Sequence, residues 1–193
     1  MSSYVRKNDY ARFYEINPDV VSIADEYFTF LPQARKSGAD FAVLLGDARL
    51  TLERQPPQQL DLLAIDAFSS DAIPTHLLTT EAFELYFRHL KPDGVLAVHI
   101  SNRYVDLVPV CARGAQHVRR PARVVRSVSD GTFDTSIWVL ISANQALLDQ
   151  PQFQGSNVYS AKAKPGFAGW TDQYSSVWPL LNLSGAAHAS VSK

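Results

Sequence analysis

Several things are scarce in this sequence of 193 residues. It has one cysteine, Cys111, so no internal disulfide can form and a reducing compartment, the cytoplasm, is expected. None of its nine glycines has another glycine two positions away, so it lacks the Gly-x-Gly loop that lets backbone amides close on a bound nucleotide. No apolar run approaches the roughly 18 residues needed to cross a bilayer, and the N-terminus lacks the apolar stretch of a secretory signal. Neither sign of charge dominates. Against 18 Lys and Arg stand 19 Asp and Glu, a balance that gives no electrostatic reason to expect nucleic acid or an anionic membrane as partner. Metal-ligand spacing is missing too: His76, His89, His99, His117 and His188 share none with Cys111 or an acidic residue. No internal repeat is visible.

What is present is an alternation of apolar strands and amphipathic helices, in a chain that is 46% hydrophobic. A strand over Ala11–Tyr14 is followed by Asn17-Pro18, an N-cap and first helical position. Val20, Val21, Ala24 and Phe28 then recur at helical spacing, predicting a helix to about Leu31 that Pro32 ends. Strands are expected at 41–45 and 60–65, with a short helix over 48–55 between them. The second of these strands is continuously apolar after Asp61, as where both sheet faces are covered. Thr79 or Thr80 caps a further helix striped by Phe83, Tyr86, Phe87 and Leu90. Lys91-Pro92-Asp93-Gly94 reads as a turn into a strand at 95–100. A helix near 105–118 and strands near 123–128 and 136–142 follow, the last two joined at Asp130-Gly131 as an antiparallel pair. The pattern predicts an α/β fold, a doubly wound, mostly parallel Rossmann-like sheet over 1–149 that ends in antiparallel strands. Residues 150–193 read as an irregular C-terminal segment with a disordered end.

Three carboxylates close three of these strands: Glu15, Asp47 and Asp66. In open parallel sheets, ligands bind outside the carboxyl ends of the strands. Glu15, in Tyr14-Glu15-Ile16-Asn17-Pro18, is placed to accept from ribose hydroxyls, or to serve the dipole of the following helix. Asp47, in Gly46-Asp47-Ala48, can accept from an exocyclic amine or cap a helix. The richest segment is Asp66-Ala67-Phe68-Ser69-Ser70-Asp71, where two carboxylates flank two hydroxyls. Such a cluster suits holding an ammonium ion and taking its proton as the nitrogen becomes a nucleophile; the alternative is a turn satisfied by its own side chains. Ser69-Ser70 lacks the Gly-x-Ser-x-Gly elbow of a hydrolase. Arg113, Arg119, Arg120, Arg123 and Arg126 read as a solvated face, with no interleaved aromatics to stack bases. Trp170-Thr171-Asp172-Gln173-Tyr174 is too aromatic for a loose tail and reads as a segment folded back over the site.

Taken in order, Tyr14-Glu15-Ile16-Asn17-Pro18, Gly46-Asp47-Ala48, Ile65-Asp66-Ala67-Phe68-Ser69-Ser70-Asp71 and Leu90-Lys91-Pro92-Asp93-Gly94-Val95-Leu96 resemble the spermidine synthase family of polyamine aminopropyltransferases. The Ala-Phe-Ser-Ser-Asp-Ala-Ile-Pro form and the late Trp-Thr-Asp-x-Tyr-Ser are most similar to long bacterial spermidine-synthase-like relatives. The resemblance implies the fold of class I S-adenosylmethionine-dependent methyltransferases. It implies a nucleoside site with Glu15 and Ile16 at the ribose, Asp47 and Ala48 at the adenine, and Asp66 and Ala67 beside them. It also implies an amine site of Ser69, Ser70, Asp71 and Tyr174, with Asp66 and Asp71 catalytic and Asp66 the base. The co-substrate would be decarboxylated S-adenosylmethionine, with no metal, and the partner a small-molecule amine.

Two features depart from the family pattern. Ala67-Phe68 is inserted between Asp66 and the Ser-Ser-Asp that follows it directly in spermidine synthases. The Gly-x-Gly loop is absent, so Met1–Asp9 would correspond to the end of the first helix and the sequence to an N-terminally truncated version lacking the first strand. A strand without its neighbour leaves an edge that invites a homodimer or completion by another chain. Three readings of function stand at this point: aminopropyl transfer, methyl transfer from S-adenosylmethionine on the same fold, and a non-catalytic remnant or interaction module.

Overall fold

Asn17 and Pro18 start the first helix as their chemistry dictates. The Asn17 side chain accepts from the Asp19 amide at 2.9 Å, and Pro18 occupies the first turn, where its missing N–H leaves no bond unmade. The computed structural model describes residues 4–67, 73–127 and 135–182. The chain divides into two compact units, one ending at Pro56 and the other beginning at Pro57.

The first unit runs β1 (Tyr10–Glu15), α1 (Pro18–Tyr27), α2 (Phe30–Lys36), β2 (Asp40–Leu45) and α3 (Ala48–Arg54). β1 and β2 pair in parallel from Tyr10 opposite Asp40 to Glu15 opposite Leu45, so the two strands finish side by side. The helix expected to reach Leu31 instead stops at Tyr27, where Phe28 turns extended. Pro32 is no breaker: it sits in the first turn of α2, a place proline tolerates, and α2 buries Leu31 and Ala34. Gly46 leaves β2 at a φ of 136°, a conformation that favours glycine, and delivers Asp47 to cap α3.

The second unit contains β3 (Leu60–Ile65), α4 (Thr80–His89), β4 (Leu90–His99), α5 (Val108–His117), β5 (Ala122–Ser127), β6 (Ser136–Ile141), α6 (Gln145–Leu148) and β7 (Val158–Ser160). Its five strands lie in the order β3-β4-β6-β5-β7, with β3 and β4 parallel and the other pairings antiparallel. The α/β class and the closing antiparallel pair β5–β6 are therefore as the alternation predicts; its expected turn at Asp130-Gly131 lies outside the described residues.

Lys91-Pro92-Asp93-Gly94 belongs to β4 and is not a separate turn. Leu60 faces Leu90 but Leu62 already faces Val95, so the extra residues bulge out of the ladder. A Cβ on Gly94 would lie 2.8 Å from the Leu60 carbonyl oxygen, which explains the glycine. β3 is also less enclosed than its apolar run predicts: Leu63 and Ile65 are buried while Leu62 is 43% exposed. The edge strand β7 lies within the stretch read as irregular and pairs with β5.

The core of this unit gathers Phe83 and Tyr86 from α4, Leu96 and Val98 from β4, Val110 and Cys111 from α5, and Val124, Val139 and Ile141 from the antiparallel strands. Trp170 joins them at 1% exposure, its indole N–H donating to the Ser176 carbonyl at 2.9 Å. The Trp170 carbonyl in turn accepts the Thr80 amide at 2.9 Å, tying the late segment to the start of α4. Among the described residues no helix is long and apolar enough to cross a membrane.

If Trp170 is core, Trp170→Ala should cost about 3–5 kcal/mol, the usual range for emptying a large aromatic site. Urea unfolding monitored by circular dichroism measures this. A loss under about 1 kcal/mol, typical of a surface substitution, would show the segment to be peripheral.

Candidate functional site at the strand ends

In the first unit, parallel pairing brings Glu15 and the Gly46-Asp47 corner to one edge, with the Gly46 amide donating to the Glu15 carbonyl at 2.9 Å. Both carboxylates have local duties. Glu15 Oε1 accepts the Asn17 amide at 2.9 Å, and Asp47 Oδ1 accepts the Leu50 amide at 2.9 Å as the N-cap of α3. The helix-cap reading of Asp47 is thus realised, while Glu15 holds the amide of the residue that caps α1. For Glu15 this does not exhaust the group, because an ionised carboxylate offers about four lone-pair sites. Glu15 Oε2 has no hydrogen-bond partner among the described residues. Ile16 beside it is 69% exposed, and Ala48 is half-buried at the first position of α3. Tyr14 precedes Glu15 and donates its hydroxyl to Gln55 Oε1 at 2.8 Å; partial burial pushes its phenol above the ordinary value, with Tyr10 adding to the shift.

In the second unit, Asp66 follows β3 directly and its side chain is 61% exposed. Its Oδ1 lies 2.7 Å from Nδ1 of His99, the last residue of β4. The other ring nitrogen of His99 is 2.7 Å from Ser101 Oγ, and that oxygen accepts the Ile137 amide at 2.8 Å. Trp138 of β6 stacks on the imidazole with centroids 4.8 Å apart and planes 20° from parallel. A carboxylate, an imidazole and a hydroxyl therefore stand in a line, with an indole fixing the ring plane.

His99 is the residue that sequence reasoning passed over, since only metal spacing was sought. Half of the signal was present. His99 falls within the strand expected at 95–100, and neighbouring parallel strands in register bring such ends together. The register pairs Ile65 with Val98, one residue before each. A second histidine–carboxylate pair lies at His117, whose Nε2 is 2.5 Å from Glu84 Oε1.

Ala67 is exposed beyond Asp66, while Ser69, Ser70 and Asp71 lie outside the described residues. The Trp170–Tyr174 segment folds back onto the start of α4: Thr79 donates to Asp172 Oδ1 at 2.7 Å, and the Asp172 amide donates to Glu81 at 3.1 Å. Tyr174 itself is 68% exposed. A polar cavity of about 680 Å³ opens nearby in the chain, lined in part by Ile100 and Asn102, which flank Ser101, and by Asp106, Arg126, Tyr159 and Lys162. Among the described residues no group of three His, Cys, Asp or Glu side chains converges as a metal site would require.

The chain is similar to known aminopropyltransferases in both sequence and fold. It is 36% identical over 87 residues to a polyamine aminopropyltransferase of Vibrio vulnificus, a match covering 44% of this chain and 27% of that protein. The chain thus spans about a quarter of the length of the curated relative it matches. The spermidine synthase from Thermotoga maritima superposes with a TM-score of 0.53 at 15% identity, over 70% of this chain and 46% of that one. A probable spermidine synthase from Corynebacterium glutamicum gives 0.52 at 16% identity, over 86% and 74%. A spermidine synthase in complex with the transition-state analogue AdoDATO gives 0.52 at 15% identity, over 70% and 45%. No family model matches the chain. At these identities the solved structures establish the fold, the mixed α/β architecture of the spermidine synthases.

Cys111 is a free, buried cysteine. It is fully buried in α5, and burial, with the Asp106 charge as a smaller cause, pushes its thiol up to about 12. Since the thiolate is the reactive form, the native protein should stay unlabelled by a thiol-disulfide reagent at pH 8 and react only once unfolded. Rapid stoichiometric labelling without denaturant would contradict that placement.

Proposed function

We propose that this chain serves an aminopropyl transfer of polyamine biosynthesis, binding decarboxylated S-adenosylmethionine and passing its aminopropyl group to a small-molecule amine. The observation that carries the reading is Asp66. It lies at the carboxyl end of a parallel strand, within a motif similar to that of the aminopropyltransferases, and its exposed carboxylate has one oxygen held by His99 and the other without a hydrogen-bond partner among the described residues.

The reaction asks little of the protein beyond placement and one proton transfer. An amine is unreactive as its ammonium ion, so Asp66 takes a proton as the nitrogen attacks. The new bond joins that nitrogen to the propyl carbon, the carbon–sulfonium bond breaks, and the electron pair leaves on sulfur as methylthioadenosine. Holding nucleophile and sulfonium in line supplies much of the acceleration. In this reading Glu15 and Ile16 of the first unit meet the ribose, with Oε2 the accepting oxygen, and Asp47 and Ala48 meet the adenine. For the second unit the family resemblance assigns Asp66 as the base, Ser69, Ser70, Asp71 and Tyr174 to the amine, and Asp71 as the second catalytic carboxylate. Those residues lie in the compartment where the amine and nucleoside would be found, the cytoplasm.

A non-catalytic reading draws support from one observation: Glu15 and Asp47 each already hold a backbone amide. Calorimetry with methylthioadenosine decides between the two. The proposal expects saturable binding that Glu15→Gln weakens by about 1–3 kcal/mol, the scale of a lost charged hydrogen bond, because the amide can keep the Asn17 contact but not the charge. Asp66→Asn should retain binding and abolish transfer. Absence of binding by the unaltered chain favours the non-catalytic reading, and turnover with S-adenosylmethionine alone would replace aminopropyl by methyl transfer.

A further inference from the structure

Resting on that reading of Asp66 as the base, we propose that His99 is its positioning residue, delivering an Nδ1–H to Asp66 Oδ1 and leaving Oδ2 to meet the amine. The direction of every hydrogen bond in the line follows from donor and acceptor inventory. The Ile137 amide can only donate, so Ser101 Oγ accepts there. The ionised Asp66 carboxylate can only accept, so Nδ1 carries the proton. A neutral imidazole protonated on Nδ1 has a bare Nε2, which takes the Ser101 hydroxyl proton across the 2.7 Å contact. The chain of bonds thus runs one way, from the β6 backbone through Ser101 and His99 to the carboxylate, and bonds aligned in this manner reinforce one another.

Geometry supports a positioning duty rather than a nucleophilic one for Ser101. Its oxygen is anchored by a backbone amide, and the Trp138 ring stacked on His99 fixes the imidazole plane. The element that acts is the exposed carboxylate at the far end, whose side chain is 61% accessible against 23% for His99. An exposed carboxylate on a loop samples several rotamers; a donor on a strand end, braced by an indole, selects one. The serine-protease arrangement uses a carboxylate to orient a histidine. Here the histidine orients the carboxylate.

The test has two arms on the full chain. Nitrogen-detected NMR of His99 at pH 8 reads the tautomer. The Nδ1–H form is expected, shifting toward Nε2–H in Asp66→Ala and toward a mixture in Ser101→Ala. A dominant Nε2–H form in the unaltered protein would overturn the proposal whatever the turnover. The kinetic arm uses decarboxylated S-adenosylmethionine with putrescine as the probe amine. His99→Ala should lower kcat about 10- to 100-fold with methylthioadenosine affinity unchanged. His99→Asn, whose amide can present a donor near the Nδ1 position, should recover at least a third of the loss on a logarithmic scale. Equal activity of the Ala variant and the unaltered chain, or an Asn variant no better than Ala, would refute the positioning role. No transfer by the unaltered chain would refute the aminopropyl reading alone, with the tautomer still judging His99.

Discussion

In each unit the arrangement depends on parallel strands that end level with one another. β1 and β2 finish at Glu15 opposite Leu45, and β3 and β4 run in register up to Ile65 opposite Val98. A parallel connection must return over the sheet, usually through a helix, so each carboxyl end opens into a loop with a helix start beyond it. Within each unit, polar side chains near the ends of the apolar runs are therefore brought together: Glu15 and Asp47 in the first, Asp66 and His99 in the second. Slipping a strand by one residue would flip its side chains to the other face, so the buried residues Leu63 and Ile65 also hold Asp66 in place.

The carboxylates of the first unit show how structure and chemistry share a residue. An N-cap is worth about 1 kcal/mol and a hydrogen bond from a ligand hydroxyl to an ionised group about 1.5–3 kcal/mol. With two oxygens on the Glu15 carboxylate, one can hold the loop while the other is left for a ligand. The cap then makes the site more rigid, because the carboxylate is already oriented before anything binds. Asp66 is oriented differently, by a side chain from the neighbouring strand.

Much of this was legible in the amino-acid sequence, and the exceptions have physical causes. The strands at 41–45 and 60–65, the cap at Asn17 and the closing antiparallel pair follow from local rules, and the structure contains them. Pro32 misled because proline breaks helices in their interiors but not in their first turns. Lys91-Pro92-Asp93-Gly94 carries turn residues, yet a bulge uses the same residues without leaving the strand. β7 was hidden because Val158–Ser160 is three residues long and is stabilised by pairing with β5, which local pattern does not reveal. The burial of Trp170 was only hinted at by its chemistry. His99 needed strand order as well as strand position: a lone histidine says nothing until the neighbouring strand is known to end in an acid.

The claim that the carboxyl ends of the parallel strands hold the ligand is tested most directly by mapping. Amide NMR of the chain titrated with methylthioadenosine should move the signals of Glu15, Asn17, Gly46 and Ala48. The amides of Tyr10 and Asp40, at the opposite ends of the same strands, should stay still. Shifts at those opposite ends, with the carboxyl-end amides unmoved, would contradict the account.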